Sequence, residues 1–171
     1  MVNLYEYIRD IPDFPKPGIV FKDITPLLKA PEAFRFAVDQ FARRYEKQGI
    51  TQIVAIESRG FIFGAALAYA IGAGIVPVRK VGKLPAATFR ESYELEYGTD
   101  SVEIHQDAIT PTDRVVVLDD VIATGGTLAA ACRLVRGSGG TIVEAATLIE
   151  LTFLNGREKL QDVPFFTVLT Y

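Results

Sequence analysis

Two adjacent aspartates precede a glycine-containing turn in the segment VVVLDDVIATGGT, residues 115–127. The glycines and threonines of ATGGT, residues 123–127, can bring backbone and hydroxyl donors close to a phosphate, and a following helix start adds partial positive charge. Asp119 and Asp120 would repel that phosphate, but ionised carboxylates accept hydrogen bonds from sugar hydroxyls and attract Mg²⁺. The combination predicts a ribose phosphate ligand, with its hydroxyls at the carboxylates and its phosphate in the turn.

Plainer interpretations of this segment remain open. A diglycine turn with a threonine cap can simply join a strand to a helix, and aspartates near a helix N-terminus stabilise it without any ligand. The segment is not a P-loop, because that motif requires a lysine where Gly126 precedes Thr127. It also lacks the GxGxxG spacing of dinucleotide-binding turns.

Short apolar segments alternate with helical patterns after residue 50. Strands are predicted at 51–57, 75–79, 114–118, 141–150 and 164–170, and helices at 31–47, 60–72 and 127–137. Strands that alternate with helices form right-handed crossovers, so we predict an α/β fold with a mostly parallel twisted sheet flanked by helices. A further short helix is predicted at 3–11, before the proline-rich turn PDFPKPG.

Polar residues follow four of the predicted strands. They are Glu57, Ser58, Arg59 and Gly60 after the first strand, Arg79, Lys80 and Lys83 near the second, Asp119 and Asp120 after the third, and Glu150 and Leu151 after the fourth. Ligands bind outside the carboxyl ends of parallel strands, so these residues are expected to share one cleft. Charged strand ends are often simply solvated, but beside a phosphate site the basic residues favour a second anionic group such as a diphosphate.

The segment 80–106 interrupts the alternation, because it is long, polar and rich in charged and aromatic residues. Such a segment is typical of a mobile lid, and part of it is predicted to form a hairpin. His105, the only histidine, alternates with Val102 and Ile104 and is expected on the solvent face of a strand. Acid–base chemistry must therefore use other groups. Cys132, the only cysteine, is predicted to be a buried structural thiol.

The composition is that of an ordinary globular protein. The 171 residues are predicted to form a single domain, and a net charge of −3 gives no general attraction to nucleic acid or to anionic membranes. The N-terminal segment carries acidic residues, and the sequence has no run of 18 apolar residues. We therefore expect no signal peptide, no spanning helix and a cytoplasmic location.

The segment VVVLDDVIATGGT resembles the phosphoribosyl-diphosphate motif of the type I phosphoribosyltransferases. Other segments are similar, in the same order along nearly the whole chain, to the members of that family that use adenine. These segments are FPKPGIVFKDITPLL (14–28), ESRGFIFG (57–64), VRKVGKLP (78–85), SYELEYG (92–98), IELTFLNGREKL (149–160) and PFFTVLTY (164–171). The resemblance implies the type I fold, with a small N-terminal hood at 1–30 and a flexible catalytic lid at 80–106.

The resemblance also implies an activity. Members of this kind convert adenine and 5-phosphoribosyl 1-diphosphate into AMP and diphosphate, with Mg²⁺, in purine salvage. The resemblance further implies a homodimer, in which some basic side chains can reach diphosphate from the neighbouring subunit. It implies as well a non-proline cis peptide in the loop that contains Ser58 and Arg59.

The implied roles cover four groups of residues. Ala123, Thr124, Gly125, Gly126 and Thr127 hold the 5′-phosphate; Asp119 and Asp120 bind the ribose hydroxyls and orient the metal, directly or through water; Ser58, Arg59, Arg79, Lys80 and Lys83 contact diphosphate; Val20, Phe21, Lys22 and Leu151 bind adenine. Two of the implied residues are catalytic. Arg59 stabilises the leaving group, and Glu96 matches the acidic residue of the catalytic loop, as a base or as a stabiliser of the developing cation.

Two alternatives stay open at this stage. The first is a phosphoribosyltransferase for another 6-substituted purine, because the backbone is expected to recognise the base and side chains alone do not prove specificity. The second is a regulator of the same fold that binds ligand without catalysis. The acidic chain shows no appended helix-turn-helix pattern, and it keeps both the lid and Glu96, so the regulator is disfavoured.

Overall fold

The computed structural model describes residues 2–95 and 98–171. Contacts within the chain divide it into two compact units, residues 1–41 and residues 42–171. No helix in the described ranges is both long and apolar enough to cross a membrane.

The first unit begins with a short 3₁₀ helix, Leu4–Tyr7, and continues into a hairpin of β1 (Arg9–Pro12) and β2 (Val20–Asp23). The helix α1 (Thr25–Lys29) follows, and α2 (Pro31–Tyr45) crosses the boundary between the units. The prediction of a helix over residues 3–11 is therefore wrong beyond its first turn. Proline disfavours helical backbone in the residue before it, and β1 pairs antiparallel with β2 and is joined to it by the Arg9–Asp23 ion pair of 2.6 Å.

Within its described residues, the second unit forms a seven-stranded sheet. Its strands are β3 (Gln52–Ile56), β4 (Gly74–Lys80), β5 (Thr88–Glu94), β6 (Thr99–His105), β7 (Arg114–Ile122), β8 (Thr141–Glu150) and β9 (Phe165–Thr170). Their order across the sheet is β5-β6-β4-β3-β7-β8-β9. Strands β4, β3, β7, β8 and β9 are mutually parallel, whereas β6 is antiparallel to both β4 and β5. The predicted mostly parallel α/β sheet is confirmed.

Two helices of this unit start at the carboxyl ends of central strands. The helix α3 (Gly60–Ile71) follows β3, and α4 (Gly126–Gly137) follows β7. Both were predicted to within one residue. The helix starts bring their N-termini to the edge of the sheet where ligands are expected.

Strand β7 is longer than the prediction, which ended it at Leu118. It pairs with β8 as far as Ile122 opposite Glu150, so both aspartates lie on the strand and not in the loop after it. Because side chains alternate along a strand, Asp119 and Asp120 leave the backbone on opposite faces. The acidic pair is thus held by sheet hydrogen bonds.

The predicted hairpin within 80–106 is confirmed as β5 and β6, in which Tyr93 lies opposite Asp100. His105 is only partly exposed, and its Nε2 accepts a hydrogen bond from the Ala86 N–H at 3.3 Å.

Cys132 is 3% exposed within α4, which confirms the buried thiol. Burial raises the pKa of Cys132 to about 12, so the thiol is protonated at neutral pH.

Candidate active site

A cavity of about 370 Å³ opens in the second unit, at the carboxyl ends of β3, β4 and β7. Its wall is formed by the loop after β3, the end of β4 and the continuous segment from the end of β7 into α4. The lining residues are Glu57, Ser58, Arg59, Lys80 and each residue from Asp119 to Leu128. The structure therefore brings the acidic pair, the ATGGT turn and part of the predicted basic group to one cleft.

The ATGGT turn is shaped by close backbone contact. Gly125 has a φ of 79°, in the left-handed region, and a Cβ on it would lie 2.1 Å from the Gly156 carbonyl oxygen. No side chain in the described part of the chain caps the start of α4, and the first residues of the helix line the cavity. Unpaired N–H groups at a helix start attract anions, so this end of the cavity suits a phosphate.

Gly156 shapes the same turn, although the sequence analysis gave it no role. A Cβ on Gly156 would lie 2.2 Å from the Ala123 carbonyl oxygen. The next residue, Arg157, donates from Nε to the buried Glu150 carboxylate at 2.6 Å, which fixes the segment behind the turn. The Asn-Gly dipeptide at 155–156 indicates a turn, but nothing in the sequence shows what that turn contacts.

Asp119 and Asp120 form an acidic pair beside the turn, in which Asp119 is partly buried and Asp120 is buried. Asp120 is 4% exposed, and its N–H donates to Asp119 Oδ1 at 2.8 Å. Arg59 Nε lies 2.8 Å from Asp120 Oδ2, yet this oxygen receives no aligned hydrogen bond within the described residues. The Arg59 guanidinium is thus the group that compensates the charge of this enclosed oxygen.

The surroundings of the pair disfavour two full negative charges. Burial raises the pKa of Asp119 well above its ordinary value, and the neighbouring charge of Asp120 raises it further. Burial also raises the pKa of Asp120, although the positive charge of Arg59 opposes this shift. A ligand that donates hydrogen bonds or brings a cation would relieve this destabilisation.

The loop after β3 holds Ser58 and Arg59 against the cavity. A cis peptide joins Glu57 to Ser58, as the resemblance implied. The Glu57 carboxylate accepts the Lys80 N–H at 2.9 Å and pairs with Arg79 at 3.1 Å, and these contacts, with Arg79 first, lower the pKa of Glu57. Glu57 thus ties the loop to β4, a role that its place at a strand end could not reveal.

The four predicted basic residues separate into two kinds. Arg59 and Lys80 line the cavity, whereas Arg79 and Lys83 are not among the residues found in its wall. Arg79 is directed to Glu57 and donates from Nη1 to the Lys83 carbonyl at 3.3 Å. The assignment of Arg79 and Lys83 to diphosphate therefore stays a prediction.

Three of the residues predicted to bind adenine lie on β2, in the first unit. Val20 is 47% exposed, and Phe21 makes an edge contact with Phe14, with 5.2 Å between the ring centroids. Lys22 Nζ donates to Asp10 at 2.7 Å across the hairpin. The Lys22 side chain is thus engaged within the hairpin.

The fourth predicted adenine residue, Leu151, follows β8 in the second unit. It is partly buried, and its N–H donates to the Ile122 carbonyl at 3.0 Å, beside the end of β7. Glu96, the predicted catalytic acid, lies outside the described residues. Strand β5 ends before Glu96 in the sequence, and strand β6 begins after it. The end of β5 lies next to the cavity wall, because Tyr93 packs against Gly126.

The carboxylates near the cavity fit a magnesium ion only if a ligand supplies most of its coordination. No group of three or more histidine, cysteine, aspartate or glutamate side chains in the described ranges is arranged to hold a metal. Mg²⁺ commonly binds through one or two carboxylates together with water and substrate phosphates. Asp119 and Asp120, which both line the cavity, match that arrangement.

Comparison with known proteins gives consistent matches over the whole chain. A family model described as the phosphoribosyl transferase domain matches residues 26–168. The adenine phosphoribosyltransferase of Roseiflexus sp. (strain RS-1) is 58% identical over 169 residues, which cover 99% of this chain and 98% of that protein.

Two crystal structures extend the comparison to the fold. The adenine phosphoribosyltransferase from Rhodothermus marinus DSM 4252 is 57% identical, with a TM-score of 0.94, over 98% of this chain and 96% of that chain. The Saccharomyces cerevisiae enzyme, complexed with D-2,5-dideoxy-2,5-imino-altritol 1,6-bisphosphate and adenine, is 44% identical, with a TM-score of 0.93, over 96% of both chains.

Proposed function

The chain belongs to the phosphoribosyltransferases, in the adenine phosphoribosyltransferase family, and from this we propose that it transfers a 5-phosphoribosyl group from 5-phosphoribosyl 1-diphosphate to adenine. The products are AMP and diphosphate, and the reaction belongs to purine salvage. One observation carries the proposal at the level of geometry. The same cavity combines a helix start that lacks a side-chain cap among the described residues with an aspartate pair, which suits the two ends of a ribose phosphate.

The 5′-phosphate is assigned to the ATGGT turn, Ala123 to Thr127. The amide groups at the start of α4 donate to the phosphate oxygens, and the threonine hydroxyls add donors. Gly125 and Gly156 allow the backbone to approach closely, because neither carries a side chain at their contact. This end of the site provides binding and orientation without acid–base chemistry.

The ribose hydroxyls are assigned to Asp119 and Asp120. Each carboxylate accepts hydrogen bonds, and the hydroxyls replace the water that burial has removed from these oxygens. Mg²⁺, when bound beside these residues and the diphosphate, would neutralise negative charge on the leaving group. The residues that hold it are Asp119 and Asp120, directly or through water.

The diphosphate is assigned to Ser58, Arg59 and Lys80 in the cavity wall, with Arg79 and Lys83 behind them. The C1′–oxygen bond to diphosphate breaks with its electron pair on oxygen, and a C1′–N9 bond to adenine forms. The proton on N9 passes to a base, either Glu96 or water. Arg59 and Lys80 stabilise the negative charge that grows on the departing oxygen. Asp120 keeps Arg59 in place for this task, with 2.8 Å between the charged atoms.

Adenine recognition is assigned to the backbone of β2 around Val20 and Lys22, with Phe21 against the base, and Leu151 remains a further predicted contact. A carbonyl that accepts from the exocyclic amine and an N–H that donates to N1 match adenine. Hypoxanthine presents the reverse pattern and would leave buried groups unpaired, at about 1–3 kcal/mol for each. Glu96, which follows β5 and precedes β6 in the sequence, keeps its proposed catalytic role.

A homodimer is part of the proposal. Helix α3 carries no charged side chain and leaves Ile62 39% and Tyr69 92% exposed, and Ile75 of β4 is 43% exposed. Several exposed apolar side chains in one region favour a partner surface. Measurement of the molar mass in solution by light scattering tests this part, since a monomer at micromolar concentration contradicts it.

The reaction is tested by following AMP and diphosphate formation from 5-phosphoribosyl 1-diphosphate, with adenine, hypoxanthine or guanine as the base. We expect turnover with adenine that requires Mg²⁺ and is lost when EDTA is added. Faster turnover with another purine would replace adenine as the substrate. Ligand binding without turnover of any base would favour the regulator.

A further inference from the structure

Lys80 ends β4 at the wall of the cavity, and two side chains of the β5–β6 hairpin share its ammonium group. Nζ donates to the Tyr93 hydroxyl at 2.6 Å and forms an ion pair with Asp100. The Tyr93 hydroxyl in turn donates to Asp100 Oδ2 at 3.2 Å. Each of the three groups thus contacts the other two, at the edge of the proposed diphosphate site.

Further contacts restrain each of the three residues. The Lys80 N–H donates to Glu57, and Asp100 Oδ1 accepts the N–H of the next residue at 2.7 Å. Tyr93 is 7% exposed and packs against Gly126 at the start of α4. The side chain of Lys80 is the longest of the three, and with 44% of it exposed its ammonium can reach a ligand.

Asp100 and a bound diphosphate need the same positive charge. Burial disfavours the charge on Lys80, but the contacts with Asp100 and Tyr93 outweigh burial and raise the pKa of Lys80. The ammonium in turn is the main cause that lowers the pKa of Asp100. The positive charge of the ammonium is thus already balanced by Asp100 before a ligand binds. A diphosphate must either share the ammonium with Asp100 or displace Asp100 from it.

We propose that Asp100 acts through Lys80, as a counter-ion that competes with diphosphate for the ammonium group and so weakens the binding of that product. The inference rests on the proposed function, which supplies diphosphate as the ligand. Its consequence is that Asp100 favours release of diphosphate after transfer, although no atom of Asp100 needs to touch the reacting carbon.

The test is calorimetric titration of the full-length enzyme and its variants with magnesium diphosphate. D100N keeps the shape and a hydrogen-bond acceptor but removes the charge. We expect it to lower the Kd for diphosphate about two- to fivefold, the range for partly exposed ion pairs. Inhibition of AMP formation by diphosphate should strengthen by the same factor. Circular dichroism checks that the fold is retained.

Two controls separate this mechanism from general charge effects. E91Q removes a carboxylate from the same hairpin, where Glu91 pairs with Arg133 at 2.9 Å, and should leave the Kd for diphosphate unchanged. K80M removes the shared ammonium, so D100N should have no further effect in a K80M background. Equal tightening in E91Q, or equal tightening by D100N without Lys80, would overturn the inference.

Unchanged or weaker binding of diphosphate to D100N would overturn it too, and would mean that Asp100 merely holds Lys80 in place. Failure of the wild-type enzyme to bind diphosphate has the same consequence. The proposed function is judged separately, by AMP formation from adenine. If D100N tightens diphosphate binding while the wild type forms no AMP, the inference stands and the proposed function does not.

Discussion

Gly125 and Gly156 lie back to back, so that a Cβ on either residue would come within 2.2 Å of a backbone oxygen. Gly125 belongs to the turn assigned to phosphate, and Gly156 belongs to the segment behind it. The shape of the turn therefore depends on a residue 31 positions away in the sequence, as the residue numbers show. The contact is between backbone atoms and leaves no flexible side chain to move aside.

G156A is expected to weaken both stability and donor binding. The added methyl group must push the Ala123 carbonyl away, and overpacking of this kind costs about 1–3 kcal/mol. The free energy of unfolding should fall by that amount, and the KM for 5-phosphoribosyl 1-diphosphate should rise. Denaturant titration and initial rates measure the two effects.

G137A serves as the matched control for that substitution. A Cβ on Gly137, at the end of α4, meets nothing within 4 Å, and alanine favours helix over glycine. Its stability should be equal or slightly higher, with unchanged kinetics. If G156A and G137A behave alike, the contact between Gly125 and Gly156 does not shape the turn.

D119N is expected to change how stability depends on pH. Burial raises the pKa of Asp119 in the folded state. The contribution of Asp119 to the free energy of unfolding is therefore most favourable below the ordinary aspartate pKa of about 3.9. This contribution is lost as pH rises through the raised pKa of the folded state. D119N removes this loss, because asparagine carries no charge to bury.

The difference in unfolding free energy between D119N and wild type should therefore grow in favour of D119N from acidic to neutral pH. Denaturant titrations at several pH values measure it, and the other carboxylates cancel in the difference. The same variant should lose most of its transferase activity, about a hundredfold, because it removes an acceptor at the ribose site. A difference that shrinks as pH rises would contradict the raised pKa.

E57Q is expected to raise the KM for the phosphoribosyl donor about tenfold, with the KM for adenine unchanged. The Glu57 carboxylate holds both Arg79 and the Lys80 N–H, and charge-assisted hydrogen bonds of this kind contribute about 1.5–3 kcal/mol each. Glutamine keeps one acceptor oxygen but cannot pair with the guanidinium. Steady-state kinetics with each substrate varied in turn provide the measurement, and equal changes in both KM values would argue against a local effect.

Cys132 is expected to resist thiol reagents in the native protein at pH 8. The thiol is buried, and its pKa of about 12 leaves very little thiolate. Reaction with a chromogenic disulfide should be slow in buffer and should reach one equivalent in denaturant. Rapid reaction of the native protein would show that α4 opens readily.

Much of the site follows from the order of strands and polar residues. The rule that ligands bind at the carboxyl ends of parallel strands correctly placed Ser58, Lys80 and the acidic pair in one cavity, because each directly ends or follows a strand. The hairpin at 88–105 was also foreseen. The role of each residue toward a ligand stays a prediction.

The details that escaped prediction depend on contacts between distant segments. Nothing in the sequence around Glu57 shows that it binds Arg79, and nothing around Asp100 shows that it reaches Lys80. The extent of β7 was underestimated, because carboxylates are uncommon in buried strands and only the pairing with β8 shows the continuation. The helix predicted at 3–11 failed because pairing with β2 decides the conformation of its second half.

The extension of β7 through both aspartates fixes the distance between these residues and the turn that follows them. Asp119 and Asp120 are fixed by pairing with β8 at one end, and the turn that follows is fixed against Gly156 at the other. The span between the carboxylates and the phosphate turn is set by a few covalently linked, hydrogen-bonded residues. We therefore expect the site to distinguish sugar phosphates by the distance between their hydroxyls and their phosphate.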